Sequence, residues 1–390
     1  MFALRLVRTF RPTALAQRSL VAGAAGAVGF LLLSALSYAV AHPDRPGAAL
    51  SRLLWCAVPL LACVQFAASA ARTDPCVRPR EGLDAVGMGP ARLPLLAAVS
   101  TALSCTAGCA LALLAFTGLR EGLGGAPPAG AAAELLGSGR ELPRAAVATL
   151  LAVPPLAAAA ASAVATRLRA LPSARTAAQP RTPPPAPVGL PWGVAVTAVG
   201  LAVETYAADR AASRPGPDVP LPGSLDGLGP GVVGGWLLIT LGLVLAGPGL
   251  VHLCGLLLAV GRPGALRLLS GRALREEAPR VGHSLGMLCA VAAGALATAR
   301  LYGAPGGGPA AGPLTVLGTA VVVVCAVAGA LSAAAEFRAA RASATDGLRR
   351  VGVPRRALRA AAALRVAALL AVLAPLAWLI AELAALPLVR

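Results

Sequence analysis

Long apolar stretches restrict how this chain can fold more than any other feature does. Its 390 residues are 57% hydrophobic, with a mean hydropathy of +0.76, which is more apolar than soluble domains are. Runs of about 20 residues that are nearly free of charge match the thickness of a bilayer's hydrocarbon core. The sequence therefore predicts an all-α, polytopic integral membrane protein with about nine transmembrane helices (8–10), at 19–41, 51–71, 93–118, 145–166, 189–208, 232–260, 284–302, 314–336 and 360–386.

The residue composition indicates a bacterial source. The chain contains no Lys and no Asn and is rich in Ala, Gly, Pro and Arg, a pattern expected from a very G+C-rich genome. The net charge of +18 and the pI of 11.3 therefore reflect codon supply in part. In a soluble protein such a charge would point to nucleic acid, but here the positions of the arginines indicate another cause.

The arginines predict the orientation in the membrane. If the N-terminus is cytoplasmic, the cytoplasmic segments hold 25 of the 34 arginines and the outer segments hold 9, as the positive-inside rule requires. We therefore expect a multi-pass protein of the bacterial plasma membrane with a cytoplasmic N-terminus, Arg390 outside and no nucleic-acid partner. The predicted cytoplasmic segments are 1–18, 72–92, 167–188, 261–283 and 336–365.

The residue types that usually carry catalysis or bind metals form no recognisable site. Without Lys the chain has no G-x-x-x-x-G-K-[ST] phosphate loop, so we expect no cofactor in this chain and any ATP to be bound by a partner subunit. We predict no catalytic residue and no metal ligand. The cysteines show no ligand spacing, and those in the apolar runs are expected to pack as small apolar residues; the eight are Cys56, Cys63, Cys76, Cys105, Cys109, Cys254, Cys289 and Cys325.

One carboxylate lies within a predicted span. Glu204 is in the fifth apolar run, near its outer end, and an intramembrane carboxylate is by default a functional candidate. Because the boundary is within two turns, the sequence favours contact with water among the lipid headgroups over burial.

A short motif occurs twice, 265 residues apart, each time in an arginine-rich connector between two apolar runs. Both copies, 81–88 and 346–353, read acid-Gly-Leu-x-x-Val-Gly-apolar. We expect each to form a short helix on the membrane surface, with the acid near its N-terminus, the Leu and Val on one face and the second Gly at its end. The alternative is a solvated connector. The residues of the predicted docking surfaces are Glu81, Gly82, Leu83, Val86, Gly87, Asp346, Gly347, Leu348, Val351 and Gly352.

The same offset relates other positions, which favours a duplication over a chance recurrence of the motif. Ser19-Leu20 corresponds to Ser284-Leu285, and Leu93 to Leu358. Because the offset spans six helices, the two copies have one orientation and form a parallel repeat. Short amphipathic helices are expected before the first and seventh spans, at 4–7 and 266–269. The predicted organisation is a first repeat at 1–170 with coupling loop 72–92, a Pro-rich linker at 171–188, a helix pair at 189–260, and a second repeat at 261–390 with coupling loop 337–357.

At these residues the chain resembles the FtsX-like permease family, the membrane subunits of MacB-class ABC transporters. The segment from Phe337 to Leu370 is similar to the family's R-x-x-E-x-x-x-L-R-x-x-G-A segment, and 78–94 matches it more loosely. The resemblance implies a ten-helix-type, duplicated member whose two coupling loops contact ATPase subunits. Two features depart from the family: the loops at 42–50 and 303–313 leave no room for a large extracellular domain, and the second repeat has three helices instead of four.

These observations lead to one expected function and two alternatives. The expected function is that of the permease subunit of an ABC transporter complex. Two copies of a separate cytoplasmic ATPase would hydrolyse ATP, and the permease would couple that reaction to export or extraction of an amphipathic, lipid-like or peptide substrate. The alternatives are a secondary transporter, and a membrane protein that transmits force or regulates without moving a solute. Enzymatic activity is not expected.

Overall fold

The structure is a computed structural model, and within the residues that it describes the secondary structure is helical throughout. The described residues are 12–44, 46–73, 92–121, 142–175, 189–213, 230–260, 264–303, 313–350 and 354–389. They contain nine helices: α1 (Pro12–Ala41), α2 (Pro46–Thr73), α3 (Arg92–Glu121), α4 (Arg144–Arg175), α5 (Gly189–Ser213), α6 (Pro230–Ala259), α7 (Ala265–Gly303), α8 (Pro313–Arg350) and α9 (Arg355–Val389).

The predicted fold class is confirmed. Each of the nine predicted apolar runs coincides with one helix to within a few residues at the apolar part, and all nine described helices are long and apolar enough to cross a bilayer. A continuous helix satisfies its own backbone hydrogen bonds, which is why apolar runs of this length adopt it in lipid. The chain is an all-α, multi-pass membrane protein.

The helices form two compact units. The first contains α1 to α4 and the part of α8 up to Cys325, and the second contains α5, α6, α7, α9 and the part of α8 from Ala326 onward. In the first unit α1 packs against α2, α3 and α4. Leu33 and Phe116 are fully buried there, and the rings of Phe30 and Phe116 meet edge to face with centroids 5.6 Å apart.

In the second unit α6 is the central helix, packed between α5 and α7, while α9 lies against α7. A buried apolar cluster joins α6, α7 and α9 and includes Ile239, Cys289 and Ile380. Two ion pairs join α7 and α9: Arg300 is 2.5 Å from Glu382, and Arg365 is 3.5 Å from Glu277.

Glycines allow the helix backbones in both units to touch. On the α1–α3 contact, a Cβ added to Gly26 would come 2.9 Å from the carbonyl oxygen of Gly108. On the α6–α7 contact, Gly247 and Gly282 each occupy the space that the other's Cβ would need. Because lipid tails are as apolar as the side chains, helices in a membrane associate through such close packing and not through the hydrophobic effect.

Two helices continue well beyond the spans predicted for them, which corrects the prediction for the segments next to those spans. The seventh span was expected to begin at 284 after a separate amphipathic helix, but α7 is continuous from Ala265. The eighth was expected to end at 336, but α8 continues to Arg350. The extensions are rich in Ala, Arg, Leu and Glu, which are strong helix formers, whereas the apolar pattern marks only the part inside the lipid. The first of the two amphipathic segments, at 4–7, lies outside the described residues.

The role of backbone contact can be tested on one helix. Gly282 and Gly294 both lie in α7, but a Cβ on Gly282 would collide with the backbone of Gly247 and Pro248, whereas one on Gly294 would meet nothing within 4 Å. We expect Gly282→Ala to lower the free energy of unfolding by about 1–3 kcal/mol. Gly294→Ala should be neutral or stabilising, by up to about 1 kcal/mol, because Ala is the better helix former.

Denaturant unfolding in detergent, followed by circular dichroism, measures both variants. Equal effects of the two substitutions would show that close approach at Gly282 does not stabilise the bundle. In the first unit Gly108→Ala and Gly23→Ala make a second matched pair, since only Gly108 faces a backbone carbonyl, that of Ala22.

Candidate functional site

The second copy of the repeated motif begins within the extension of α8. The part of α8 suited to the membrane ends at Ala335, and the helix continues for 15 residues to Arg350. With a rise of about 1.5 Å per residue, Asp346 is about 16 Å further along the helix axis than Ala335. Asp346, Gly347 and Leu348 are thus held on the end of a long helix.

This arrangement corrects one detail of the expected geometry. Asp346 was predicted near the N-terminus of a short helix of its own, yet it lies in the last turn and a half of α8. Val351 and Gly352 lie outside the described residues, so whether Leu348 and Val351 share a face stays a prediction.

The first copy of the motif lies outside the described residues altogether. This concerns Glu81, Gly82, Leu83, Val86 and Gly87. The structure gives the two flanking helices, since α2 ends at Thr73 and α3 begins at Arg92.

Polar contacts fasten the start of α9 to the extension of α7. Ser270 of α7 donates its hydroxyl to the carbonyl of Ala361 in α9 at 3.3 Å. The same carbonyl accepts Nε–H from Arg365, one turn further along α9, at 3.1 Å. The guanidinium of Arg365 also reaches Glu277 at 3.5 Å, with 16% and 13% of the two side chains exposed. The sequence did not identify Ser270, Glu277 and Arg365 as partners, although Glu276-Glu277 is an acidic pair within an otherwise basic segment.

Each unit has a thiol–carbonyl contact between two of its helices, and the two contacts lie at nearly equivalent positions. In the first unit Cys109 of α3 directs its thiol to the carbonyl of Ala25 in α1, with Sγ and O 3.7 Å apart. In the second unit Cys289 of α7 makes a contact of the same kind, also at 3.7 Å, with the carbonyl of Leu373 in α9, so the thiol is here on the helix that corresponds to α1. Shifted back by the 265-residue offset, the second pair falls on positions 24 and 108, one residue from the first pair. The helices that the offset relates therefore meet at corresponding heights.

Glu204 is buried, contrary to the expectation that it faces headgroup water. None of its surface is exposed, and its Oε1 accepts a hydrogen bond from Trp236 Nε1–H of α6 at 2.7 Å. Gly235 makes room for it, since a Cβ on Gly235 would come 2.8 Å from the Cβ of Glu204. Oε2 has no hydrogen-bond partner among the described residues. The sequence did not reveal Trp236 as the partner, although a buried indole N–H usually finds an acceptor.

No metal centre is visible in the part of the chain that the structure describes. It contains no group of three or more His, Cys, Asp or Glu residues placed to hold an ion. Seven cysteines are buried and free of disulfides, at positions 56, 63, 105, 109, 254, 289 and 325. Cys76 lies outside the described residues.

The bond between Glu204 and Trp236 gives a stability prediction. Trp236→Phe leaves a buried carboxylate without its donor, so we expect the free energy of unfolding to fall by about 1–2 kcal/mol. Trp192→Phe is the matched control, because Trp192 is 69% exposed, and it should change stability by less than about 0.5 kcal/mol. Circular dichroism during unfolding in detergent compares the two variants. The same loss in both would mean that the indole N–H contributes nothing specific.

Comparison with known proteins leaves the site to be interpreted from its own residues. No protein-family model, no curated protein and no solved structure matches this chain.

Proposed function

We propose that this chain is the permease subunit of an ABC transporter complex of the FtsX-like type, in a bacterial plasma membrane. In this proposal a separate cytoplasmic ATPase hydrolyses ATP, and the chain couples that reaction to export or extraction of an amphipathic, lipid-like or peptide substrate. The observation that carries the proposal is a motif repeated at an offset of 265 residues. The Cys109–Ala25 and Cys289–Leu373 contacts support it, because they join corresponding pairs of helices at an offset of 264 residues, with the thiol on the opposite helix of the pair. A duplicated membrane unit with a duplicated polar connector suits a partner that binds twice.

The extension of α8 supports the coupling role. A partner bound at Asp346–Leu348 would hold the end of a helix of 38 residues, about 57 Å long. No proline follows Pro313 in α8, so no proline kink separates the docking end from the membrane part. The hydrogen bond from Ser270 to Ala361 and the ion pair of Arg365 with Glu277 would carry a movement of α9 to α7.

The stoichiometry follows from the repeat. With one docking segment in each copy, a single chain would bind two ATPase subunits. We expect an ATPase with a Walker A motif to be encoded beside this chain, because a chain without Lys cannot supply that motif.

Docking can be tested by placing charge on the proposed apolar faces. Leu348→Asp with Val351→Asp should reduce the number of ATPase subunits that co-purify from two to one, and Leu83→Asp with Val86→Asp should remove the other, because a carboxylate cannot enter an apolar contact without a large desolvation cost. Native mass spectrometry of the purified complex counts the subunits.

The matched control is Leu266→Asp with Leu269→Asp. These leucines have the same spacing in the extension of α7, and both are exposed, but they lie outside the motif. The control should retain both ATPase subunits. Two bound subunits in either motif variant would contradict the docking role of that segment.

The orientation has its own test. We expect Arg390 to lie outside, so a Cys placed there in a Cys76→Ser background should react in intact cells with a thiol reagent that cannot cross the membrane. The described cysteines are buried and should react slowly. Labelling only after the cells are opened would reverse the orientation.

A secondary transporter is the second candidate, because the full burial of Glu204 is what an intramembrane proton or ion site would need. Glu204→Gln keeps an oxygen that can accept from Trp236 and removes the ability to ionise. In reconstituted vesicles, transport driven by an ion gradient that this substitution abolishes would favour the second candidate. Transport that needs ATP and the partner ATPase, and survives the substitution, would favour the first.

A further inference from the structure

An arginine without an acidic partner lies where α6 and α7 pack together, near the predicted cytoplasmic end of the second unit. The side chain of Arg275 in α7 crosses α6 at Gly255, since a Cβ on Gly255 would come 2.7 Å from the Cγ of Arg275. Its Nε is buried without a hydrogen-bond partner, and Arg275 forms no ion pair with a described residue. Within the part of the chain that the structure describes, its charge is therefore not neutralised.

A buried imidazole lies beside this guanidinium. His252 of α6 is one turn before Gly255 and is 5% exposed, and it is close enough to Arg275 for the two side chains to interact electrostatically. An imidazole nitrogen can donate a hydrogen bond as well as accept one. Because buried polar groups cost free energy unless they are hydrogen-bonded, the two side chains together would be stabilised by a ligand that accepts hydrogen bonds.

The charges around Arg275 are sorted by the face of α7 on which they lie. Arg272 is exposed and lies one turn before Arg275, about 60° from it around the helix. Glu276 and Glu277 are about 100° and 160° away from Arg275, and Glu277 is already paired with Arg365 of α9. The face of α7 that carries the two arginines is therefore positive, and a ligand that neutralises it must be an anion.

This basic face lies at the edge of the hydrocarbon layer. The part of α7 suited to the membrane begins at Val281, so Arg275 is about 9 Å outside it along the helix axis. The apolar part of α6, Gly231–Ala259, has 29 residues, and a hydrocarbon core of about 30 Å centred on it ends near Gly255. Both helices thus place Arg275 at or just beyond the boundary, which is the depth of the lipid headgroups.

Exposed leucines border the basic face on α6. Leu253, Leu256 and Leu257 are 40%, 37% and 59% exposed, and Leu256 is about 40° from His252 around the helix. A molecule bound beside Arg275 would therefore meet apolar surface as well as positive charge. This combination suits an amphipathic anion better than a free one.

We propose that Arg275 and Arg272 bind the phosphate group of an anionic phospholipid, with His252 beside the headgroup and part of an acyl chain against Leu256. Basic pockets between helices on the cytoplasmic side bind such headgroups, and the planar fork of a guanidinium matches the oxygens of a phosphate. The site shares no residue with the proposed ATPase docking segments, so it does not depend on the proposed function.

The test titrates the purified full chain in detergent with phosphatidylglycerol, and separately with phosphatidylcholine and inorganic phosphate, and follows binding by native mass spectrometry. Wild type should bind phosphatidylglycerol more tightly than phosphatidylcholine. Arg275→Gln should weaken phosphatidylglycerol binding by about tenfold, because a charge-assisted hydrogen bond is lost. Arg272→Gln should weaken it less, by about threefold, because the contact of an exposed arginine is screened by water.

Arg359→Gln is the matched control. Arg359 is exposed at the same end of the second unit, but it lies about 160° around α9 from Ala361, which contacts α7. Its loss removes the same charge and should leave phosphatidylglycerol binding unchanged. Circular dichroism shows that each variant is folded, and if Arg275→Gln is not, the comparison of Arg272→Gln with Arg359→Gln decides.

Three results would overturn the proposal. The first is equal phosphatidylglycerol affinity in the site variants and in Arg359→Gln, which would mean that the lipid responds to net charge alone. The second is phosphatidylcholine binding as tight as that of phosphatidylglycerol. The third is inorganic phosphate that binds wild type as tightly as phosphatidylglycerol does, which would assign the arginines to a free anion instead of a lipid.

Discussion

Direct contact between helix backbones, made possible by glycine, is the interaction on which the two helical units depend. An apolar side chain gains little free energy when it exchanges contact with lipid for contact with another helix. Helices in a membrane are therefore held together by dispersion contacts, which become more numerous as the helix axes approach. Gly26 and Gly108 bring α1 and α3 together, and Gly247 and Gly282 do the same for α6 and α7. The polar contacts follow from this closeness: the Cys109 thiol reaches the carbonyl of Ala25 next to the first pair.

The same closeness explains why Glu204 can be buried. Gly235 leaves the space in which the carboxylate lies between α5 and α6, and Trp236, the next residue, supplies its hydrogen bond. An interior carboxylate with a single donor is costly in a membrane. Its presence beside a glycine and a tryptophan indicates a specific arrangement and not a surface charge that happens to fall near a helix end.

For the residues that the structure describes, the sequence was sufficient to locate the spans, because a membrane helix requires about twenty consecutive apolar residues. It was not sufficient for the ends of α7 and α8, since an arginine- and alanine-rich segment outside the lipid has no apolar periodicity that distinguishes helix from connector. The burial of Glu204 also could not be read from the sequence. It depends on which face of α5 meets α6, and a helix that is apolar all round does not encode that face in its pattern. The partner of Arg365, Glu277, was hidden for the same reason: 88 residues separate them, and only the packing of α7 on α9 brings them together.

The docking role of the predicted residues stays a prediction, and the structure gives the backbone of only some of them. Asp346, Gly347 and Leu348 belong to the helix that crosses the membrane, whereas the copy at 81–87 stays a prediction from the sequence. The two units nevertheless share the height at which their offset-related helices meet, and a pattern of letters could not have shown that agreement. It supports the predicted duplication, which stays a prediction.

The unbroken course of α8 has a mechanical consequence. A flexible connector would absorb a force applied to its end, whereas a helix of 38 residues is stiff along its axis. A displacement applied at Leu348 would therefore arrive at Leu314, some 50 Å away, as a shift or tilt of similar size. If a partner binds the end of α8 as proposed, the size of the movement would be set by that partner, and the membrane part of α8 would follow it.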